Sequence, residues 1–188
     1  MSASISSLID ILQTSQNKTI ICVGDIMLDK FVYGQVERIS PEAPIPVLKI
    51  TREDTMLGGA GNVVRNLLSL KCKTQFYGVI GQDDAGKTIE TLLNENQDAQ
   101  AFLLRDPDRP TSLKTRFMAS NQQMLRADDE KTTPLSAPLT DQLLLNIAKE
   151  IEHADVMVLS DYGKGVLAAD TSYHLIQLAK KAGIPVIV

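Results

Sequence analysis

Short apolar runs alternate with longer amphipathic stretches along most of the chain. The runs at 19–23, 74–80, 155–161 and 184–188 are rich in β-branched and other apolar residues, which is typical of buried strands. The stretches between them, for example 140–153, carry apolar residues at helical spacing. Strands that alternate with helices of ten or more residues predict an α/β fold, a doubly wound and mostly parallel sheet with helices on both faces.

The segment at 31–52 has a different pattern. Its apolar and polar positions alternate on both sides of a proline-rich elbow, which predicts two exposed antiparallel strands that form a flap outside the main sheet. Two strands alone cannot bury the apolar positions of such a flap, so we expect it to pack against a second copy of the chain as a homodimer. The positions concerned are Phe31, Tyr33, Val47 and Ile50.

Composition and charge exclude several classes of protein. A formal net charge of −4 and a pI near 5.2 argue against a nucleic-acid partner, because phosphate backbones need a basic surface. No apolar run approaches the roughly 18 residues of a membrane span, and the first residues do not have the pattern of a signal peptide, so a cytoplasmic protein is expected. Two cysteines without CxxC spacing predict buried, reduced thiols, and two histidines are too few for a convincing zinc site.

Two motifs place candidate ligands at the ends of predicted strands, where α/β folds build their sites. In GDIMLD, the carboxylate of Asp25 or Asp29 could accept hydrogen bonds from two neighbouring sugar hydroxyls, although either could instead cap a turn. In LGGAGN, Gly58 and Gly59 would let the backbone approach a ligand at a helix N-terminus, and Asn62 would add a side-chain amide. A lone glycine cluster is also found in ordinary tight turns.

Five segments in this order resemble the ribokinase (PfkB-type) sugar kinases: VGDIMLD, RISPEAPIPVLKI, GGAGNVVRNL, SNQQMLR and LSDYGKGVL. Among these kinases the chain is most similar to the D-glycero-D-manno-heptose 7-phosphate kinases of lipopolysaccharide core synthesis. The resemblance extends from about residue 18 to residue 188, and RISPEAPIPV and SDYGKG are its most discriminating parts. It implies a ribokinase-like fold and an ATP-dependent kinase that acts on the anomeric hydroxyl, with Mg²⁺ held by the nucleotide phosphates.

The resemblance also assigns expected roles to individual positions. It implies that residues 31–52 form a β-clasp lid, which covers the sugar and often mediates dimerisation in this family. Asp29, Gly58, Gly59 and Asn62 fall on sugar-binding positions. Cationic side chains pair well with phosphate oxygens, so several are candidates to bind a sugar phosphate, with exposed solubilising charges as the alternative. The candidates in this group are Arg116, Arg126 and Lys164, and Asp161 is a further candidate for the substrate site.

One departure from the family pattern concerns catalysis. The family's late G-x-G-D turn, which holds the catalytic base and the oxyanion hole, has no match within residues 1–188, and neither does the ATP-binding segment. We therefore expect residues 1–188 to be the N-terminal part of one kinase domain, with its catalytic residues beyond Val188. Without those parts the chain is expected to bind neither ATP nor Mg²⁺ tightly and to catalyse nothing.

A competing motif is present at 81–88, which matches the P-loop pattern G-x-x-x-x-G-K-[ST] between a predicted strand and a predicted helix. In a P-loop, Asp83 and Asp84 would lie in a nest built for phosphate, and at about 4 Å each like-charge contact would cost roughly 4 kcal/mol at an effective dielectric constant near 20. Both residues suit the N-terminus of a helix, where they cap it and complement its dipole. A P-loop NTPase and a non-catalytic sugar-binding module remain alternatives to the kinase.

Overall fold

The computed structural model describes residues 5–16 and 18–188. Its helices and strands follow one another in the order α1 (Ile5–Ser15), β1 (Thr19–Gly24), β2 (Ile26–Ile39), β3 (Pro46–Gly59), α2 (Ala60–Ser69), β4 (Lys73–Ile80), α3 (Asp84–Asn94), β5 (Ala99–Arg105), β6 (Leu113–Ala119), β7 (Gln122–Asp129), α4 (Ala137–Glu150), a 3₁₀ turn (Ile151–His153), β8 (Val156–Ser160), α5 (Ala169–Ala182) and β9 (Val186–Ile187).

The larger sheet has five parallel strands in the order β5-β4-β1-β8-β9. Successive residues of β1 point to opposite faces, and each face has its own apolar cluster. Ile21 belongs to the cluster that contains α4 and α5, whereas Cys22 belongs to the cluster that contains α2 and α3. The doubly wound parallel sheet with helices on both faces is therefore confirmed.

The second sheet has four strands in the order β3-β2-β6-β7, with β2 parallel to β6 and the outer pairs antiparallel. The expectation of a two-stranded flap limited to 31–52 is wrong in extent. The β2–β3 ladder already begins at the pair Ile26↔Gly59, and β6 joins β2 by a register that starts at Leu28↔Leu113. No local pattern encodes a parallel pairing across so many residues, so the sequence could not show it.

Two local features of the sheets follow directly from residue type. Ser120 and Asn121 connect β6 and β7 with φ angles of 46° and 68°, two consecutive left-handed residues as in a tight hairpin. Gly24 ends β1 so close to β8 that a Cβ atom would collide with the carbonyl oxygen of Ser160. The carboxyl ends of these two strands therefore meet where Asp25 begins the next segment.

The thiols of Cys22 and Cys72 are free and buried, as predicted, and burial raises the pKa of Cys22 to about 12. Among the residues that the structure describes, no helix is both long and apolar enough to cross a membrane.

Candidate functional site

Asp25 holds the loop that follows β8. Its Oδ2 accepts hydrogen bonds from the amides of Tyr162 and Lys164 at 2.9 and 3.0 Å, and its Oδ1 accepts one from the amide of Val166 at 3.0 Å. The residue is 1% exposed. This geometry corrects the expectation that Asp25 binds sugar, because its carboxylate is buried and used by the protein's own backbone. The alternative that it fixes a turn agrees with the structure.

Asp29 lies within β2 of the second sheet and not at a strand end. Nη1 of Arg116 donates to its Oδ1 at 2.6 Å, and the guanidinium group lies 5.2 Å from the centre of the Phe31 ring. Gly58 approaches the same carboxylate so closely that a Cβ atom there would lie 2.5 Å from Oδ2. Asp29 stays partly exposed, with 19% of its side chain accessible. The structure thus brings together two residues predicted from separate motifs, Asp29 and Gly58, and the phosphate candidate Arg116.

The other two candidates from the glycine motif, Gly59 and Asn62, lie at the N-terminus of α2. Gly59 is the N-cap residue with a φ of 56°, and a Cβ atom at this position would collide with the carbonyl oxygen of Asp25. Only glycine meets both conditions without strain. Asn62 lies exposed in the first turn of the same helix, which contains no acidic residue. Because the cap makes no side-chain hydrogen bond, this helix end can accept an electronegative group.

A network of ion pairs joins β6 and β7 to the loop after β8. Nζ of Lys114 donates to Oδ2 of Asp128 at 2.8 Å and to Oε2 of Glu130 at 2.9 Å. Nζ of Lys164 donates to Oε1 of the same Glu130 at 2.8 Å. Arg126 pairs with Asp128 at 2.9 Å. Two of the predicted phosphate ligands, Arg126 and Lys164, are therefore connected through Lys114, which the sequence reasoning missed.

The strand register places these side chains on one face of the second sheet. Residues that are paired directly across neighbouring strands point the same way. Lys114 is paired with Asp29 in β2, and Arg116 is paired with Phe31 in β2 and with Arg126 in β7. The signal that could have revealed the face is the period-two alternation of charges in β6 and β7, but only the pairing shows which charges meet.

The hydrogen bonds of this network favour the charged forms of Lys114, Asp128 and Glu130. Burial raises the pKa of Glu130, but the hydrogen bonds from Lys164 and Lys114 outweigh burial, so this pKa lies below its ordinary value. The hydrogen bond from Lys114 is the main cause of the lowered pKa of Asp128. Burial lowers the pKa of Lys114, yet Asp128 and Glu130 together raise it above its ordinary value.

A buried arginine fixes the other side of the loop after β8. Nη1 of Arg109 donates to the carbonyl oxygen of Lys164 at 2.9 Å, and Nη2 donates to that of Thr133 at 3.0 Å. Its Nε donates to Oδ2 of Asp106 at 2.9 Å, and both of these side chains are more than nine-tenths buried. The main chain of Lys164 is thus held at its amide by Asp25 and at its carbonyl by Arg109. The sequence offered no signal for this role.

Asp161 is placed differently from the other candidates. It is exposed, and its Oδ1 accepts a hydrogen bond from the amide of Gly163 at 2.8 Å, which closes a turn in which Gly163 has a φ of 67°. Within the described residues, no hydrogen bond or ion pair joins its side chain to Asp29 or to the ion-pair network.

The glycine loop that resembles a P-loop is filled by the protein itself. Asp83 is the N-cap of α3, as predicted, because its Oδ1 accepts from the amide of Gly86 at 2.8 Å. Its Oδ2 accepts from the amide of Thr111, and the hydroxyl of Thr111 accepts in turn from the amide of Gly81, both at 2.8 Å. The amides of Gly81 and Gly86 would have to bind phosphate in a P-loop. In this structure they donate to Thr111 and Asp83 instead.

The remaining features of this loop do not suit a nucleotide either. Lys87, which would have to reach the β- and γ-phosphates, is exposed and pairs with Asp84 at 2.7 Å. Within the described ranges, no group of three or more histidine, cysteine, aspartate or glutamate residues is arranged to hold a metal ion. The residues of this loop do not fit Mg-ATP.

The fold and these motifs are those of the ribokinase class of proteins. The profile of the family described as "pfkB family carbohydrate kinase" matches residues 17–188, and the chain belongs to that family. It is 50% identical over 184 residues to "Bifunctional protein HldE" of Paramagnetospirillum magneticum, and 47% identical over 182 residues to the protein of the same name from Rhodospirillum rubrum. These alignments cover 98% and 97% of this chain but 38% and 37% of the relatives, so the chain spans well under half of their length.

Solved structures show the same fold at lower identity. A carbohydrate kinase from Agrobacterium tumefaciens superposes with a TM-score of 0.68 at 20% identity, over 90% of this chain and 52% of that one. The tetrameric inhibited form of phosphofructokinase-2 from Escherichia coli gives a TM-score of 0.67 at 21% identity, over 92% of this chain and 54% of that one. This level of identity supports the fold alone.

Proposed function

We propose that residues 1–188 supply the sugar-binding part of an ATP-dependent kinase that phosphorylates the anomeric hydroxyl of D-glycero-D-manno-heptose 7-phosphate, a step toward the lipopolysaccharide core. The observation that carries this proposal is the contact between Asp29, Arg116 and Gly58, in a chain that belongs to the pfkB family.

Asp29 suits the recognition of a polyol. A carboxylate can accept hydrogen bonds from two neighbouring hydroxyls, and the missing side chain of Gly58 leaves space next to its Oδ2. Arg116 neutralises the carboxylate, so the pair can stay partly buried without an isolated charge. Asn62 and the N-terminus of α2 follow directly after Gly58 and Gly59, and we propose that they contact the same sugar.

The choice of heptose 7-phosphate rests on two supports. The first is the similarity to proteins named "Bifunctional protein HldE", together with the segments RISPEAPIPV and SDYGKG. The second is the set of cations on the face that carries Asp29, since a phosphorylated sugar needs a positive partner for its phosphate. On this proposal Arg116, Arg126 and Lys164 are phosphate ligands.

Mg-ATP would supply the phosphoryl group and the charge that stabilises its transfer. The residues of the loop at 81–88 do not fit it, so we assign no step of nucleotide chemistry to them. The aligned region corresponds to about half of each solved kinase. We therefore expect the isolated 188-residue chain to bind sugar phosphate weakly and to show no measurable turnover.

We further propose that the second sheet is a lid that pairs with the lid of another copy. Its face opposite Asp29 carries an apolar groove of about 380 Å³. The groove is lined by Val36, Ile45, Pro46, Leu48, Phe117, Met124 and Leu125. Phe31 and Tyr33 do not belong to it, because they stack on each other on the Asp29 face with ring centres 6.2 Å apart.

Light scattering tests this pairing of lids. The wild type should be a dimer that Leu125→Glu converts to a monomer, and a monomeric wild type would refute the pairing.

The acidic net charge and the small polar substrate support a cytoplasmic enzyme without a nucleic-acid partner.

Calorimetry tests the main proposal. The chain should bind heptose 7-phosphate more tightly than fructose 6-phosphate, and Mg-ATP should show no micromolar affinity. Tight Mg-ATP binding that is lost in Lys87→Ala would favour a P-loop NTPase. Sugar binding without phosphorylation by the full-length gene product would favour a non-catalytic sugar-binding module.

A further inference from the structure

We infer that Lys114 and Lys164 are the two arms of a phosphate-binding subsite and that Glu130 is an internal competitor, which holds both ammonium groups until a phosphoryl group displaces it. The identity of the ligand as a sugar phosphate rests on the proposed function. The subsite itself rests on the geometry of these three residues.

One carboxylate bridges the two ammonium groups. Oε1 of Glu130 accepts from Lys164 at 2.8 Å and Oε2 accepts from Lys114 at 2.9 Å. A phosphoryl group also presents oxygens to two donors at once, with three oxygens and a charge of about −1.5 to −2 where the carboxylate has one negative charge. The lysines are therefore already spaced for a small bridging anion, and a phosphoryl group would interact with them more strongly.

Both cations are held in place by rigid parts of the fold. The main chain of Lys164 is fixed by Asp25 at its amide and by Arg109 at its carbonyl. Lys114 lies inside β6, between β2 and β7. Glu130 comes directly after the last residue of β7, so its side chain can swing away without breaking a pair of the ladder. The cations are thus preorganised and the carboxylate is the part that can leave.

The surroundings place the two lysines beside the proposed sugar ligand. Arg116 and Arg126 are directly paired across β6 and β7, and their like charges are compensated by Asp29 and Asp128. Lys114 is paired with Asp29, so a phosphate bound between Lys114 and Lys164 would lie next to the proposed sugar ligand. A phosphorylated sugar could therefore reach Asp29 with its hydroxyls and the lysines with its phosphate.

A purely structural network makes the opposite prediction for Glu130→Gln. In that case the substitution only weakens the fold, whereas removal of a competitor frees Lys164 and leaves Lys114 with Asp128 as its one carboxylate partner among the described residues. The matched control is Glu53→Gln, because Glu53 pairs with Lys30 at 2.7 Å on the opposite face of the same sheet. Calorimetry with inorganic phosphate, fructose 6-phosphate and fructose separates the phosphate from the sugar. Thermal denaturation of each variant verifies folding.

We expect Glu130→Gln to bind inorganic phosphate and fructose 6-phosphate about tenfold more tightly, the equivalent of one charge-assisted hydrogen bond, with fructose and Glu53→Gln unchanged. Glu130→Gln that binds phosphate no better than the wild type would overturn the inference. If Glu130→Gln fails to fold, Lys114→Met decides: it should weaken fructose 6-phosphate and leave fructose unchanged, and equal effects on both would overturn the subsite.

The same titrations, extended to heptose 7-phosphate, distinguish this inference from the proposed function. Phosphate binding that follows the expected pattern, with heptose 7-phosphate binding no better than inorganic phosphate, would keep the subsite and contradict the sugar site. Equal binding of fructose and fructose 6-phosphate by every variant would keep a sugar site and overturn the subsite.

Discussion

Oδ2 of Asp25 accepts the amide hydrogen of Lys164 at 3.0 Å, although the two residues lie 139 positions apart. Through this contact the end of β1 determines where the loop after β8 presents its lysine. In the sequence Asp25 resembles a substrate ligand. In the structure it acts on the candidate site indirectly, because it holds the main chain of Lys164.

The first prediction concerns this anchor. Asp25→Asn replaces one acceptor oxygen by an NH₂ group that faces backbone N–H groups, so we expect it to lower the free energy of unfolding by about 2–4 kcal/mol. Urea denaturation measures the change. Asp161→Asn is the control, since Asp161 is exposed and closes only its own turn, and its denaturation midpoint should barely move. Equal effects of the two substitutions would contradict the anchoring role.

The second prediction concerns the proposed sugar ligand. Asp29→Asn in the full-length kinase should cost about 2–4 kcal/mol of transition-state stabilisation, measured from kcat/KM for the sugar, because a charged hydrogen-bond acceptor is lost. Asp98→Asn serves as the control, because Asp98 is an exposed turn residue just before β5, at the opposite end of the strands. An unchanged kcat/KM in Asp29→Asn would remove Asp29 from the site.

The third prediction concerns the buried ion pair. Arg109→Met leaves the carboxylate of Asp106 buried without its partner and frees the carbonyls of Lys164 and Thr133, so we expect a loss of about 3–5 kcal/mol in the free energy of unfolding. Arg105→Met removes the more exposed pair with Glu90 and should cost no more than about 1 kcal/mol. Chemical denaturation of both variants checks the difference, and similar losses would show that burial does not matter here.

The fourth prediction concerns acid. The pKa values of Glu130, Asp106 and Asp83 are lower than usual in the fold, because hydrogen bonds outweigh the effect of burial, which would raise them. Groups of this kind stabilise the fold above their unfolded pKa, and the stabilisation is lost as the pH falls through the folded pKa. Unfolded carboxyls titrate near pH 3.9–4.3, so the free energy of unfolding should be level above about pH 5 and fall steadily below it.

Urea midpoints measured across this pH range test the fourth prediction. Glu130→Gln should flatten the acid limb relative to Glu53→Gln, since one of the titrating groups is gone. High salt screens exposed charges more than buried ones. It should therefore reduce the contribution of the Asp128 network to the acid dependence of stability more than that of buried Asp106. Stability that rises toward pH 4 would contradict the direction of these shifts.

Local sequence determined the secondary structure and some of its details. The short apolar runs and the helical spacing of the stretches between them predicted a parallel α/β sheet, since the side-chain period of a strand or helix is a property of neighbouring residues. For the same reason the cap at Asp83 and the turn at Ser120 and Asn121 were readable, because each depends on residues within about one turn of the chain.

Tertiary structure alone decided which charges meet. The pairing of Asp29 with Lys114 depends on a parallel register between β2 and β6, and no periodic pattern specifies a partner strand. The same limit hid Glu130 between two lysines, the role of Arg109 and the burial of Asp25. A charged residue looks alike in sequence whether it faces solvent, a ligand or a backbone amide, because its environment is assembled from segments that are distant along the chain.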